Sequence, residues 1–176
     1  MKKHPAYYIA QGAAIAALYA TLTIMQNVLL PGTASAAIQF RAAEVLTILA
    51  VYTRPAIPGL TIGCIIANLS SISVVGPLDM IFGSAASFIA ALLMYALRNV
   101  RWFRLPILSA LMPALVNGII VGFEIDFFVV NQGFFNFYDF LFVGGCVALG
   151  ELGVLVLLGL PLAWAIDKRK IMSKFK

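Results

Sequence analysis

The sequence has few charged residues. Only 11% of its 176 residues carry a charge, and 62% are hydrophobic, whereas soluble domains have about 25% charged and about 45–50% apolar residues. A chain this short cannot bury so much apolar surface away from water by folding alone. The composition therefore excludes an ordinary soluble protein and predicts a single membrane domain over residues 1–176.

Residues typical of catalytic and metal sites are also scarce. The only histidine is His4, and Cys64 and Cys146 lie singly within apolar segments, which excludes a Ser-His-Asp triad and a zinc site of Cys and His ligands. The sequence contains no glycine-rich phosphate loop ending in Lys-Ser/Thr. We therefore expect no enzyme activity, no cofactor, no metal and no ATP hydrolysis by this chain.

Six apolar segments predict an all-α integral membrane fold with six transmembrane helices. A helix needs about 20 apolar residues to cross the hydrocarbon core. Two of the segments are shorter than this, and Pro55 lies between them. The predicted helices are residues 7–30, 42–53, 56–70, 79–97, 105–125 and 138–166.

The basic residues predict that both termini are cytoplasmic. With six crossings, all twelve Lys and Arg residues except Arg41 fall on the cytoplasmic side, as the positive-inside rule requires. A single crossing over residues 42–69 would instead place Arg98 opposite Lys2 and Lys3. Anionic lipid at the cytoplasmic surface is a sufficient partner for the net charge of +5, so we expect no nucleic acid.

The acidic residues show the opposite distribution, since all of them except Asp167 fall in the outer half. A charge within a span is costly unless it faces the protein interior or a wet cavity. Arg41 precedes Glu44 by three residues, so helical spacing would bring both side chains to one face, either as a simple pair at a helix end or as part of a binding site. For Asp126 and Asp139, which flank an outer loop, we expect solvent exposure.

Polar residues also occur deep within predicted spans. Glu151 lies in the glycine-rich stretch 144–153, where an unpaired carboxylate would need a donor, a proton or a substrate. Asn68 and Asn117 lie within apolar helices, where they either join helices or contact a ligand. Eight phenylalanines between positions 123 and 142 indicate a packed lid or a stacking wall more than an interfacial belt of Trp and Tyr.

Small residues recur at four-residue intervals on the first helix. Such residues let two helices approach closely in lipid, where no hydrophobic force drives helices together. This surface suits docking of a partner helix and consists of Gly12, Ala16 and Ala20, with Ala13 and Ala17 beside them.

Several segments together resemble one family. They are Gln39 to Thr47, Ala56 to Asn68, Leu78 to Ser84 and Gly150-Glu151. In combination they resemble the QueT family of queuosine-precursor transporters, which are substrate-binding S components of energy-coupling factor (ECF) transporters. The resemblance implies a six-helix binder that docks, through the small residues of its first helix, on a membrane T component associated with two ATPase subunits.

The resemblance also implies a small-molecule substrate, namely a 7-deazaguanine derivative. We assign substrate binding to a set of polar residues within the resembling segments and the later spans: Gln39, Arg41, Glu44, Asn68, Asp79, Asn117, Glu124 and Glu151. Three alternatives stay open: an S component for another vitamin or nucleobase, a membrane scaffold without a small-molecule ligand, and a membrane enzyme.

Overall fold

The computed structural model describes residues 5–31, 33, 40–70, 77–103 and 105–169. Within these ranges the chain is helical and contains no β-strand, which confirms the predicted all-α class. The helices, numbered here in chain order, are α1 (Pro5–Leu29), α2 (Ala42–Val51), α3 (Ala56–Ser70), α4 (Pro77–Ala96), α5 (Ile107–Val130) and α6 (Phe137–Lys168).

Four of these helices, α1, α4, α5 and α6, are long and apolar enough to cross a membrane. The other two are shorter, with 10 residues in α2 and 15 in α3. Because α2 is wound as a 3₁₀ helix, with a rise near 2.0 Å per residue, it extends about 20 Å rather than about 15 Å. Six crossings, and the cytoplasmic placement of both termini, stay predictions.

Helices α1 and α3 approach each other closely through small residues. A Cβ atom added at Gly59 would lie 2.7 Å from the Gly12 carbonyl oxygen, and one added at Gly63 would lie 2.8 Å from the Cβ of Tyr19. Real Cβ atoms do not approach other atoms so closely, so glycine is required at both positions. This contact fixes the position of Tyr19 inside the bundle.

Helices α5 and α6 cross at a second set of glycines. A Cβ added at Gly122 would lie 2.6 Å from the Cα of Gly144, and one added at Gly118 would lie 3.0 Å from the Gly144 carbonyl oxygen. The glycines of the last span therefore serve in part to admit α5. Gly145, the next residue, faces open space.

One end of the bundle gathers basic and aromatic side chains. Arg54 Nε donates to the Tyr95 hydroxyl at 2.6 Å, and Arg98 Nη1 donates to the Tyr95 carbonyl at 2.7 Å. Arg101 forms an ion pair with Asp167 at 2.5 Å. These contacts join the carboxyl-terminal ends of α2, α4 and α6, which we call the basic end.

Near the connection between α5 and α6, the structure differs from the expected solvent exposure of Asp126. Asp126 is fully buried rather than solvent-exposed, because its carboxylate accepts hydrogen bonds from Asn131 Nδ2 at 2.6 Å and from the Asn136 N–H at 3.2 Å. Asn131 also donates to Asp139, which is partly buried. The carboxylate of Asp126 therefore acts as the anchor of this loop.

The aromatic residues around the same loop do not form a closed lid. The rings contact one another in a chain, for example Phe123 with Phe127 at 5.5 Å and Phe127 with Phe128 at 5.0 Å between centroids. However, Phe134 and Tyr138 are about four-fifths exposed, at 78% and 82%. These two rings face outward and do not belong to a packed lid.

Candidate functional site

Buried polar side chains gather in the half of the bundle opposite the basic end. They come from the middle of α1, the start of α2, the end of α3, the start of α4, and from α5 and α6. We call this group the polar cluster, and it contains Tyr19, Arg41, Glu44, Asn68, Asp79, Asn117, Glu124 and Glu151, all of them buried.

Glu44 is held by a tyrosine from α1. The Tyr19 hydroxyl donates a hydrogen bond to Glu44 Oε1, and both residues are nearly inaccessible to solvent, at 0% and 1%. Tyr19 is in turn fixed by the close approach of Gly63. One oxygen of Glu44 is therefore occupied by the protein and the other is left for another partner.

Arg41 lies just before α2 and reaches α3. Its backbone is extended, with φ −94° and ψ 102°, so the helical spacing expected between Arg41 and Glu44 does not apply. Arg41 Nη2 donates to Asn68 Oδ1 at 2.5 Å, which makes Asn68, rather than Glu44, its hydrogen-bonding partner. Arg41 is thus hydrogen-bonded to Asn68 and interacts electrostatically with Glu44, so the two residues do not form an isolated pair at the helix end.

Asn68 connects three elements. Besides accepting from Arg41, its amide nitrogen donates to the carbonyl oxygen of Asp79 at 2.9 Å. A Cβ added at Gly83 would lie 2.9 Å from this nitrogen and 3.5 Å from Asp79 Oδ1. Asn68 and Asp79 therefore lie side by side over Gly83, and the absence of a side chain there makes room for them.

Glu151 is held in the same manner as Glu44. Asn117 Nδ2, on α5, donates to Glu151 Oε1 on α6. Like Asn68, Asn117 bridges two helices while also orienting an ionisable side chain. Glu124 lies two turns further along α5, and none of the described residues donates a hydrogen bond to it.

The helix winding changes beside both of these glutamates. Directly after Glu124, α5 continues as a π-helix over Ile125–Val130. Shortly after Glu151, α6 has a π-helical turn over Leu155–Gly159. Such turns are rare and occur often at functional sites. The sequence carried no signal for either of them.

Arg41 is the electrostatic centre of the polar cluster. It interacts electrostatically with four carboxylates, those of Glu44, Asp79, Glu124 and Glu151. Glu44 and Glu151 also interact with each other, as do Asp79 and Glu124. By these interactions the carboxylates group into two pairs, Glu44 with Glu151 and Asp79 with Glu124, and Arg41 interacts with both.

The polar cluster has unused hydrogen-bonding capacity. Among the described residues, four of its buried atoms have no partner: Arg41 Nε, Glu44 Oε2, Glu124 Oε2 and Glu151 Oε2. Buried polar groups are normally satisfied, so each such atom needs an explanation. Three acceptors and one donor within one cluster are suited to a polar ligand that presents several N–H groups.

The described cavity does not coincide with the unpartnered atoms of the polar cluster. Within the described ranges, no three Asp, Glu, His or Cys side chains are placed to hold a metal ion. A cavity of about 330 Å³ lies near the basic end instead, lined by Phe103, Leu105, Trp164, Asp167 and Lys168.

Sequence reasoning missed two residues that build the cluster. Tyr19 was overlooked because a tyrosine in an apolar helix looks like a packing residue. Gln26 was overlooked as well, although its side chain donates to the Phe40 carbonyl and accepts from the Ala42 N–H at 2.8 Å. Gln26 thereby fixes the segment that carries Arg41 into α2. A buried polar residue in a membrane helix was the available signal for both.

The structure brings together most of the residues predicted to bind substrate. Gln39 lies outside the described residues.

The small residues of α1 that were predicted to dock a partner divide into two groups. On α1, Ala16 and Ala20 are buried, and Gly12 and Ala16 contact α3, so these contacts lie within the chain. Ala13 and Ala17 are exposed, and their docking role stays a prediction.

A family model described as QueT transporter matches residues 9–168. No curated protein and no solved structure matches the chain. The matched region contains the whole polar cluster. Together with the four helices of spanning length, this match identifies a multi-pass membrane protein of a transporter type.

Proposed function

The chain belongs to the QueT transporter family, and on that premise we propose that it is the substrate-binding S component of an ECF-type importer. In this proposal it crosses the membrane six times with both termini in the cytoplasm. It captures a queuosine precursor, a 7-deazaguanine derivative, from outside the cell. A membrane T component and two ATPase subunits then supply the energy for uptake.

The observation that carries this proposal is the set of unpartnered atoms in the polar cluster. A guanine-like base presents a ring N–H and an exocyclic amine on one edge, next to a carbonyl oxygen, and proteins read such an edge by hydrogen bonds. Glu44 Oε2 and Glu151 Oε2 are buried acceptors without a donor. Either can accept from the ring N–H and the amine, and charge-assisted bonds of this kind are strong.

The carbonyl edge of the base needs a donor, and Arg41 supports this role best. Its Nε has no partner among the described residues. The amide nitrogens of Asn68 and Asn117 already donate within the protein, so these residues position the charged groups rather than contact the carbonyl in this conformation.

The exposed side of α1 supports docking on a T component. Ala13 and Ala17 are small and solvent-accessible along α1, and small residues allow close helix contact in lipid. The buried residues of the same helix hold α1 against α3. A partner would therefore meet a helix already fixed to the rest of the binder.

Ligand titration of the purified chain in detergent tests the proposal. The panel contains 7-cyano-7-deazaguanine, 7-aminomethyl-7-deazaguanine, queuine, guanine, riboflavin and thiamine, with the unfolding temperature as readout. We expect a saturable rise with at least one deazaguanine and little change with riboflavin or thiamine. Glu44→Gln combined with Glu151→Gln should abolish this rise while the protein stays folded.

Asp139→Asn is the matched control, because it removes a carboxylate in the first turn of α6, outside the polar cluster. It should leave the response to ligand intact. A flat response to every deazaguanine would contradict the proposal. A saturable response to riboflavin or thiamine alone would identify a binder for another vitamin, and no response to any compound would favour a scaffold.

A further inference from the structure

We infer that the site prefers ligands carrying a positive charge, with Asp79 and Glu124 as the pair that binds an ammonium group. This inference rests on the proposed function and narrows its substrate class. Among queuosine precursors, it favours those with an amine on the 7-substituent over the neutral 7-cyano compound.

The charge inventory of the polar cluster is the first argument. It contains four buried carboxylates, those of Glu44, Asp79, Glu124 and Glu151, whereas Arg41 is the one buried cation among the described residues. Buried charges are tolerated when they are paired, and an unpaired one carries a large desolvation cost. With a neutral ligand the surplus carboxylates must stay protonated or uncompensated, while a cationic ligand would let a further carboxylate be ionised and paired.

The hydrogen bonds of the carboxylates distinguish the two pairs. Glu44 and Glu151 each accept one hydrogen bond from within the protein, from Tyr19 and Asn117 respectively. Those bonds orient the first pair and leave one acceptor on each residue, which suits the flat edge of a base. The first pair is thus prepared for hydrogen bonds of fixed direction.

The second pair, Asp79 and Glu124, receives no such side-chain hydrogen bond from the part of the chain that the structure describes. No described residue donates a side-chain hydrogen bond to Glu124, and Glu124 Oε2 is buried without a partner. Asp79 interacts electrostatically with Glu124, and neighbouring like charges destabilise each other. An ammonium group has three donors and one positive charge, so it would supply the donor that Glu124 Oε2 lacks and offset the negative charge of Asp79 as well.

The chemistry of the ligand agrees with this division. An aliphatic amine, like the Lys side chain with its ordinary pKa near 10.4, is protonated at neutral pH. A cyano group carries no charge and no hydrogen-bond donor. The pair formed by Asp79 and Glu124 can therefore distinguish the two substituents on one base.

Isothermal titration of the full chain with the 7-aminomethyl and the 7-cyano compounds tests the inference. A hydrogen-bonded charged group lost from a buried site lowers affinity by at least about tenfold. We expect wild type to bind the 7-aminomethyl compound at least about tenfold more tightly than the 7-cyano compound. Glu124→Gln, which keeps the shape of the side chain, should remove most of this ratio by weakening binding of the amine. Asp139→Asn should leave the ratio unchanged.

Each outcome has a distinct meaning. If both compounds bind wild type equally well, or if Glu124→Gln weakens both to the same extent, the preference for a cation is refuted while the proposed function stands. If neither compound nor queuine binds, the proposed function fails, and this inference fails with it. Should Glu124→Gln not fold, Asp79→Asn provides the second variant, and the wild-type ratio tests the preference without any variant.

Discussion

Replacing Gly63 by alanine is expected to separate α1 from α3 and to move Tyr19 away from Glu44. The added Cβ would lie 2.8 Å from the Cβ of Tyr19 and 2.9 Å from the Ala16 carbonyl oxygen. Neither neighbour is the flexible end of a side chain, so the whole helix must shift. The same shift would weaken the hydrogen bond that orients Glu44.

The size of the effect follows from three contributions. Overpacking of a tight contact costs about 1–3 kcal/mol, and loss of the hydrogen bond to a buried carboxylate costs about 1–3 kcal/mol more. The better helix propensity of alanine offsets about 1 kcal/mol. Gly63→Ala should therefore lower the free energy of unfolding by about 1–5 kcal/mol.

Gly145→Ala is the matched control, because it is the same substitution in a helix at a position where nothing lies within 4 Å of the added Cβ. It should be neutral or stabilising by about 0.5–1 kcal/mol. At roughly 2–4 °C per kcal/mol, the two variants should differ by at least about 2 °C in unfolding temperature in detergent. Equal unfolding temperatures, with ligand binding unchanged in both variants, would refute the packing described for α1 and α3.

Three further predictions test other parts of the structure. Gln26→Ala removes the hydrogen bonds that fix the start of α2, so titration should show ligand affinity reduced by about tenfold. Gln26→Glu keeps the acceptor and should lose less affinity, whereas unchanged affinity in both variants would contradict this role. Asp126→Ala removes the acceptor of Asn131 and should destabilise the α5–α6 loop by about 1–3 kcal/mol. Limited proteolysis should then cleave within the loop faster than in wild type, and an unchanged cleavage rate would show that the Asp126 carboxylate does not anchor the loop. In a cysteine-free background, a membrane-impermeant maleimide added to intact cells should label Gln132→Cys, and it should label Phe103→Cys only after permeabilisation, as six crossings require. The reverse pattern would overturn the cytoplasmic placement of both termini.

Part of the site could be predicted from the sequence because charge in an apolar chain is conspicuous. A carboxylate such as Glu44, Glu124 or Glu151 in a long apolar segment must face the protein interior, and all three are buried. The same reasoning failed for Asp126, because a position near a predicted loop does not reveal whether the loop folds back over the side chain.

The partners of these residues could not be predicted. The bond between Tyr19 and Glu44 joins residues 25 positions apart, and the bond between Asn117 and Glu151 joins residues 34 positions apart. Which side chains meet over such separations depends on how the helices pack. That packing is determined by glycines such as Gly63, whose role appears only when the opposing helix is known.

The sequence by itself determined that the protein lies in a membrane and is helical, and it predicts that basic and acidic residues lie on opposite sides. Those properties depend on composition and on short-range pattern, and transfer free energy into lipid is nearly additive along a chain. Tertiary structure alone decided the 3₁₀ winding of α2 and the π-helical turns of α5 and α6. It also divided the carboxylates into one pair held by Tyr19 and Asn117 and one pair that receives no such hydrogen bond from the described residues. These features arise where backbones approach within a few ångströms, and such contacts depend on all the helices at once.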